Sequence, residues 1–454
     1  MTRINQNSIF YHIYPLGACN APHRSDINGP PVSRLQKMFE WLDHIQALGT
    51  NAIYLGPVFE STTHGYDTAN YYEVDRRLGT RQDLRDFALE LKRRGMALVL
   101  DGVFNHVGRD FWAFKDLLAH GQSSAYKDWF DGLRFDQISP FGDPFSYEAW
   151  SGHFDLVKLN LAHPEVKDHL FGAIAMWKER FDIDGIRLDA ADVLSFDFMR
   201  DLRAYCNQLD PELWLMGEVI HGDYRRWANP QSLHATTNYE LYKGFWSALN
   251  DGNFFELAHS LGRQFGTGGM YFDLKSQYNF VDNHDVSRIT RQLRNPAHLG
   301  LVYLLMYCAP GLPSVYYGSE FGFEGFKQND DWNLRPPFDL LDLQKSAQVD
   351  LRGLIARLSS LRQKISPLRL GDYRELLVSA KQYAFARHAG DEIALIVVNS
   401  SEEPAEVNLP LNGYENWRFV DALDESFVSH VNTQGFLHIT VPANWGRVLL
   451  NRVD

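Results

Sequence analysis

The sequence is short of several things, and each shortage removes a class of explanation. Cysteine occurs three times in 454 residues, as Cys19, Cys206 and Cys308. These positions are odd in number, far apart and without metal-ligand spacing, which excludes a disulfide framework and a cysteine-based metal centre. Scattered buried thiols in a reducing compartment are the plain reading. No apolar run approaches the ~18 residues of a membrane span. The opening stretch MTRINQNSIFYHIYP lacks the apolar core of a secretory signal. A cytoplasmic protein with no membrane partner is therefore expected. Positive charge is also in deficit: 44 Lys+Arg against 57 Asp+Glu gives 44 − 57 = −13. That balance argues against nucleic acid or a polyanionic substrate and for a neutral one. Missing too are a dinucleotide-binding glycine loop after a strand, a phosphate-binding P-loop and an HExxH helix. There is no internal repeat and no low-complexity tract.

What is present is an ordinary globular mix, 45% hydrophobic and 22% charged. Short apolar runs alternate with longer amphipathic ones. The pattern predicts strands over 9–14, 51–55, 96–101, 184–189 and 213–218, with fainter ones over 235–239, 277–282 and 313–317. Helical spacing is read over 32–48, 81–94, 164–180 and 196–209. Regular β-α alternation with buried strands calls for a parallel sheet covered by helices, and eight such units suit an α/β class (β/α)8 TIM barrel. Residues 107–163 break the alternation with Gly, Pro, Ser and many aromatics. They are too long for a bare loop and are read as a small subdomain inserted after strand three. From about residue 371 the chain turns to short alternating strands (YAFAR, IALIVVN, AEVNLP, FLHITV, GRVLLN). The expected division is a barrel of 1–106 and 164–368, an inserted subdomain of 107–163 and an all-β sandwich of 369–454.

The informative feature is what closes each apolar strand. MALVLDGVFNH ends with Asp101, Asn105 and His106; DGIRLDAAD with Arg187 and Asp189; LWLMGEV with Glu218; YNFVDNHDVSR with His284 and Asp285. A closed parallel barrel gathers its strand C-termini on one face, where catalytic groups sit. One such Asp alone is more commonly a helix N-cap, and Asp101 is partly read that way. Arg187 and Asp189, two apart on a strand, share a face. An arginine there lowers the carboxylate pKa and keeps it ionised, which suits a nucleophile. Glu218, after an apolar run and a glycine, suits an acid held protonated by a dry pocket. Paired carboxylates of unlike protonation are what glycoside cleavage requires. The aromatic load (30 Phe, 21 Tyr, 11 Trp) fits sugar faces, although much of it belongs to the core.

With those residues in view, the sequence resembles the α-amylase family of retaining glycoside hydrolases and transglycosylases. DGVFNH, GIRLDAADV, GEV and FVDNHD are similar to its four main signatures, in order, and HGYDTANYY and GLPSVYYGSE to two accessory ones. The resemblance implies Asp189 as nucleophile, Glu218 as acid and then base, and Asp285 as the group that grips the distorted sugar. It implies that Arg187 orients Asp189, that His106 and His284 bind hydroxyls of the sugar in subsite −1, and that Tyr66 stacks on that ring. Asp331 and Arg335, four apart in QNDDWNLRPPF, match a pair that also contacts this sugar. Asp67 would bond the sugar or pair with Arg335, and Asp101 and Asn105 would support.

LVKLNLAHPEV, AYKDWF, STTHGYDTA and the His221 that follows Glu218 are similar to the neopullulanase, cyclomaltodextrinase and maltogenic amylase group. The chain begins almost at the first barrel strand, without the N-terminal β-domain usual in that group. The implied activity is cleavage of α-1,4-linked malto-oligosaccharides or cyclodextrins by double displacement; the sequence sets no oligomeric state. The same apparatus also serves glucanotransfer or cleavage of α-1,6 bonds or sucrose. Outside that class stand a non-catalytic scaffold barrel and a metal-dependent barrel hydrolase. The chemistry requires no cofactor. The resemblance raises a structural Ca²⁺ for which Asn105 matches one ligand, while Asp192-Val193 replaces the Lys-His pair that often marks another.

Overall fold

The computed structural model describes residues 4–266, 276–328, 330–347 and 349–451. Eight short strands run parallel: β1 (Phe10–Ile13), β2 (Ala52–Leu55), β3 (Ala97–Gly102), β4 (Gly185–Leu188), β5 (Trp214–Gly217), β6 (Ala235–Thr236), β7 (Tyr278–Phe280) and β8 (Leu312–Tyr316). Their order is β6-β5-β4-β3-β2-β1-β8-β7. A parallel bridge between Thr237 and Tyr278 joins the two edges, with Asn238 N donating to Tyr278 O at 2.9 Å. The sheet is thus a closed (β/α)8 barrel.

Alternation along each strand divides the core in two. One set of alternate residues (Phe10, Tyr54, Val99, Trp214, Met216, Tyr278, Phe280) fills the lumen. The other (Tyr11, Ile53, Leu98, Ile186, Leu215) packs outward under the helices. Both faces are dry, so the strands read as continuous apolar runs. Helices Arg81–Arg93, Pro164–Phe181 and Phe196–Leu209 fall where periodicity puts them. Over 32–48 a single α-helix is expected. The chain instead forms a 3-10 stretch, Arg34–Trp41, followed by the α-helix Leu42–Ala47. Its buried residues Leu35, Met38 and Trp41 are three apart, which matches three residues per turn better than 3.6.

After β3 the chain leaves the barrel through a helix, Trp112–His120, and a small antiparallel sheet of His106–Gly108, His153–Lys158 and Ala149–Trp150. Beyond the barrel, six antiparallel strands form one sheet: Asp372–Val378, Gln382–Ala389, Glu392–Asn399, Trp445–Asn451, Arg418–Asp421 and Asp424–His430. Ala405–Pro410 and Phe436–Val441 form a second. The larger sheet is buried on both faces. Tyr383, Phe385, Ile396 and Val398 join the barrel's outer core. Ala384, Leu395 and Val397 meet Leu409 and Ile439 of the small sheet.

One fully buried arginine, Arg387, ties this unit to the barrel without any carboxylate, and a second, Arg362, braces the barrel segment it reaches. Arg387 donates to Cys308 O (2.7 Å) and Gly371 O (2.9 Å), and Arg362 donates to Tyr307 O (2.7 Å). Burial and the neighbouring Arg362 push the Arg387 guanidinium down to about 9. It remains a cation at neutral pH, and backbone carbonyls carry the whole compensation. Arg387→Met keeps the bulk but orphans two buried carbonyls, so it should cost about 2–3 kcal/mol. Calorimetry should show a lowered unfolding midpoint, and an unchanged midpoint would mean these bonds hold nothing.

Candidate active site

The strand register builds the site. Asp101 on β3 lies opposite Arg187 on β4, and Leu188 opposite Gly217 on β5. One step further along, Asp189 faces Glu218, one strand spacing of about 4.8 Å away at the backbone. Asp101, Arg187, Asp189 and Glu218 therefore leave neighbouring strands at one end of the lumen, on the inward phase of the alternation.

Arg187 is at the centre. Its Nη1 donates to Asp101 Oδ1 (2.9 Å) and Asp189 Oδ1 (3.0 Å), and its Nη2 lies 2.8 Å from Glu218 Oε2. Asp101 is no helix cap: Tyr54 (2.9 Å) and Tyr66 (3.2 Å) also donate hydroxyls to its Oδ2. Glu218 Oε2 also accepts the backbone N–H of Ala190 at 3.0 Å. Ala190 reaches that position with φ +46°, in the left-handed region that costs a non-glycine residue about 1–2 kcal/mol.

Burial, reinforced by Glu218, Asp101 and Asp285, pushes the Asp189 carboxyl well above the usual carboxylate range, and Arg187 pulls it down. The expectation that Arg187 alone would hold Asp189 low is thus corrected. One guanidinium is divided among three carboxylates, and its pull on any one of them is diluted.

A second group lies across the mouth. Arg335 Nη2 donates to Asp285 Oδ1 (2.8 Å) and, more weakly, to Asp331 Oδ2 (3.3 Å). His284 Nε2 lies 2.9 Å from Asp285 Oδ2 and hydrogen-bonds the Tyr66 hydroxyl. Burial works against ionisation of Asp285, but His284, Arg335 and Arg187 outweigh it and hold the carboxyl well below its ordinary value. Asp331 also meets Lys327 at 3.2 Å. Tyr66 is packed offset-parallel to His284, with ring centroids 5.6 Å apart.

His106 Nε2 lies 3.9 Å from Asp189 Oδ2, buried and without a hydrogen-bond partner. Burial lowers His106 to about 3, so the ring is neutral. Asp67 stands apart from Arg335. Its Oδ2 accepts from Thr63 N and Oγ1 (both 2.8 Å), and its buried Oδ1, 3.9 Å from His64 Nδ1, has no hydrogen-bond partner. Orphan buried atoms facing a cleft are where ligand hydroxyls would be satisfied.

Asn105 is buried and its Nδ2 faces His106 Nδ1 at 3.2 Å. Among the described residues no group of three or more His, Cys, Asp or Glu converges as a metal site.

Four groups were not anticipated. His12 on β1 stacks on Tyr54 (4.2 Å) and meets His284 edge-on (5.0 Å), forming the floor. Tyr239 donates to Glu218 Oε1 at 3.4 Å and accepts from Asn283 Nδ2 at 3.1 Å. For His12 and Tyr54 the signal was available: both occupy the inward phase near the ends of β1 and β2. For Tyr239 nothing local marks the role, while Asn283 lies inside FVDNHD beside the two residues singled out there.

The comparisons point one way. A family described as alpha amylase, catalytic domain, matches residues 23–352, and the maltogenic amylase C-terminal domain matches residues 373–444. A cyclomaltodextrinase of Geobacillus thermopakistaniensis (strain MAS1) is 30% identical, over 88% of this chain and 67% of its own. The intracellular maltogenic amylase of Bacillus subtilis (strain 168) is 30% identical, over 89% of this chain and 68% of its own. Among solved structures, a cyclomaltodextrinase matches with a TM-score of 0.86 at 28% identity, over 98% of this chain and 78% of that one.

Neutral burial of His106 sets a pH dependence. The unfolded chain protonates this ring near 6.5, the folded chain only near 3. Between those values the unfolded state binds more protons, so stability is full above 6.5 and falls as pH falls, by up to about 1.4 kcal/mol per pH unit. His106→Gln carries no such proton. Urea unfolding at pH 6.5 and pH 4 should show the variant losing less stability than the wild type, and equal losses would contradict a neutral His106.

Proposed function

Since this chain belongs to the α-amylase family of glycoside hydrolases, we propose that it cleaves α-1,4 bonds of malto-oligosaccharides or cyclodextrins by double displacement, with transfer to a second sugar as the accompanying reaction. The observation that carries this is the single guanidinium joining Asp189 and Glu218 on facing register positions. Carboxyls about 5–5.5 Å apart suit direct attack, and larger gaps of about 6.5–9.5 Å admit an intervening water. Arg187 bonds both carboxyls, and that shared partner is what supports the first case here. The relatives' names supply the substrate class.

The roles follow from which oxygens are free. Arg187 holds Asp189 by Oδ1, leaving Oδ2 to attack the anomeric carbon. Arg187 and the Ala190 N–H hold Glu218 by Oε2, so the acid proton belongs on Oε1. In the first step Asp189 Oδ2 bonds to the anomeric carbon, the glycosidic bond breaks and its oxygen takes the proton from Glu218. In the second, water gives a proton to Glu218, its oxygen bonds to the anomeric carbon and the ester to Asp189 breaks. The pair needs one proton between its two carboxyls, and a site with one cation for three carboxylates favours retaining one.

Asp285, held ionised by its neighbours, accepts sugar hydroxyls and opposes the positive charge of the transition state. His106, His284, Asp67, Asp331 and Arg335 bind hydroxyls of the same ring, and Tyr66 covers its apolar face. The partner is a neutral α-glucan. Among the described residues no helix is long and apolar enough to cross a membrane. A workplace inside the cell is the reading consistent with three buried free thiols and with the name of the Bacillus subtilis relative.

Asp189→Asn should lower kcat on maltoheptaose by about 10⁴-fold or more. Glu218→Gln should lower it by about 10²- to 10⁴-fold, and much less on an aryl α-maltoside whose leaving group needs no proton. Substantial activity in the Asn variant, or equal losses on both substrates in the Gln variant, would reverse the assignment.

A further inference from the structure

The Asp285–Arg335 pair joins two loops, and one of them has little structure of its own. Between Phe321 and Leu340 the only regular element among the described residues is the 3-10 turn Trp332–Leu334. Arg335 follows that turn directly. A guanidinium on such a segment keeps its place only if the backbone is held from outside. The bonds that hold it come from the loop after β7, the one that carries Asp285. Arg288 Nη2 donates to Leu334 O at 2.9 Å, and its Nη1 donates to Tyr317 O at 2.8 Å and Ser319 Oγ at 3.0 Å. The Arg288 backbone N–H donates to Gly325 O at 2.8 Å. On either side of it, Ser287 Oγ accepts from Lys327 N at 3.0 Å and Thr290 Oγ1 donates to Phe323 O at 2.7 Å.

Arg288 is fully buried, and these three side-chain bonds all end on neutral oxygens. Its charge is compensated one step away, where the Ser319 hydroxyl donates to Asp282 Oδ2 at 2.8 Å. Leu334 O belongs to the peptide that enters Arg335. The Tyr316 hydroxyl donates to the same oxygen at 3.1 Å, and the Tyr316 ring lies 3.9 Å from the Arg288 guanidinium. Arg335 reaches back, with Nη2 on Asp285 Oδ1 and Nε on His284 O at 3.0 Å. The bonds close a ring: from Asp285 along the chain to Arg288, across to Leu334, into Arg335 and back to Asp285. Resting on the reading of Asp285 as the group that opposes transition-state charge, we propose that Arg288 is the positioning residue of this ring, placing Arg335, and through it the Asp285 carboxyl, by its grip on Leu334 O. A lysine there keeps the charge but has one nitrogen in place of a planar fork, so it cannot hold Leu334 O and Tyr317 O as the guanidinium does. Tyr316→Phe removes the second donor from Leu334 O and keeps the ring.

The test is a double-mutant cycle on the full chain, read as kcat on maltoheptaose. Arg288→Lys should lower kcat about 10- to 100-fold in the otherwise wild-type enzyme. In the Arg335→Gln background, where the group it places is gone, the same substitution should change kcat by less than about 2-fold. Loss of folded enzyme alone would lower both backgrounds by one factor. Equal losses in the two backgrounds, or an unchanged kcat in Arg288→Lys, overturn the positioning role. If Arg288→Lys does not fold, Tyr316→Phe decides by the same cycle. It should lose about 2- to 10-fold in the wild-type background and nothing in the Arg335→Gln background; no loss, or the same loss in both, overturns the role. Asp285→Asn tests the premise separately. Full activity in that variant overturns the reading of Asp285 and the role of Arg288 with it, whereas an inactive Asp285→Asn beside an additive cycle overturns Arg288 alone.

Discussion

One buried guanidinium organises this molecule's working end. Arg187 is inside a dry barrel, where an unpaired cation would be intolerable, and it meets three carboxylates from three adjacent strands. Coulomb attraction at these distances is strong only because water is excluded, and the same exclusion makes loss of any partner costly. Closure of the barrel supplies the exclusion. Parallel register supplies the geometry, because Asp101 and Arg187 are direct neighbours and Glu218 follows in step with Asp189. A shift of one residue in either strand would turn these side chains outward under the helices. Barrel packing and site geometry are therefore one constraint.

The charge count has a second consequence. Three carboxylates against one guanidinium leave an excess of negative charge, and burial raises the cost of that excess. At Asp189 burial outweighs Arg187. Asp285 lies on the other side of the same cleft and behaves oppositely, because it has Arg335 and His284 beside it. Carboxylates of one chemical type thus receive different protonation tendencies from the number of cations within reach. An ionised Asp285 is what a charge-stabilising group requires.

Most of the barrel was legible because both faces of its sheet are buried: each strand is an uninterrupted apolar run, and the polar residue ending it stands out. The same rule made Asp101, Asp189, Glu218 and Asp285 legible. It failed where burial is one-sided. Asp372–Val378 and Asp424–His430 are the edge strands of the C-terminal sheet, carry exposed charges, and left no apolar run to read. The segment at 34–41 misled because i, i+3 spacing is common to two helix types. The direction of the Asp189 shift was out of reach for another reason. It depends on how many partners share Arg187, and only tertiary placement of β3 and β5 beside β4 answers that. Tyr239 reaches Glu218 from a helix start and Asn283 reaches Tyr239 from a loop, where no period constrains orientation.

The remaining feature is how little the site must rearrange to act. Asp189 and Glu218 leave the ends of barrel strands; each has one oxygen held by Arg187, while Glu218 Oε1 meets only the long bond from Tyr239. Tyr66, His284 and Tyr14 form a parallel tier beside Asp285, with centroids 5.6 and 5.9 Å apart, and Arg335 lies over the Tyr14 ring at 4.6 Å. This packing prevents the Asp285 pair from relaxing when a sugar arrives. The left-handed Ala190 belongs to the same arrangement. A relaxed backbone there would withdraw the N–H from Glu218 Oε2 and free the carboxyl to rotate. A small local strain, held in place by a large closed core, keeps the donor oxygen aimed at one side of the cleft. Dipoles and charges fixed before substrate binds need not be reoriented during the reaction, and that is the main way a rigid barrel lowers the barrier for a neutral sugar.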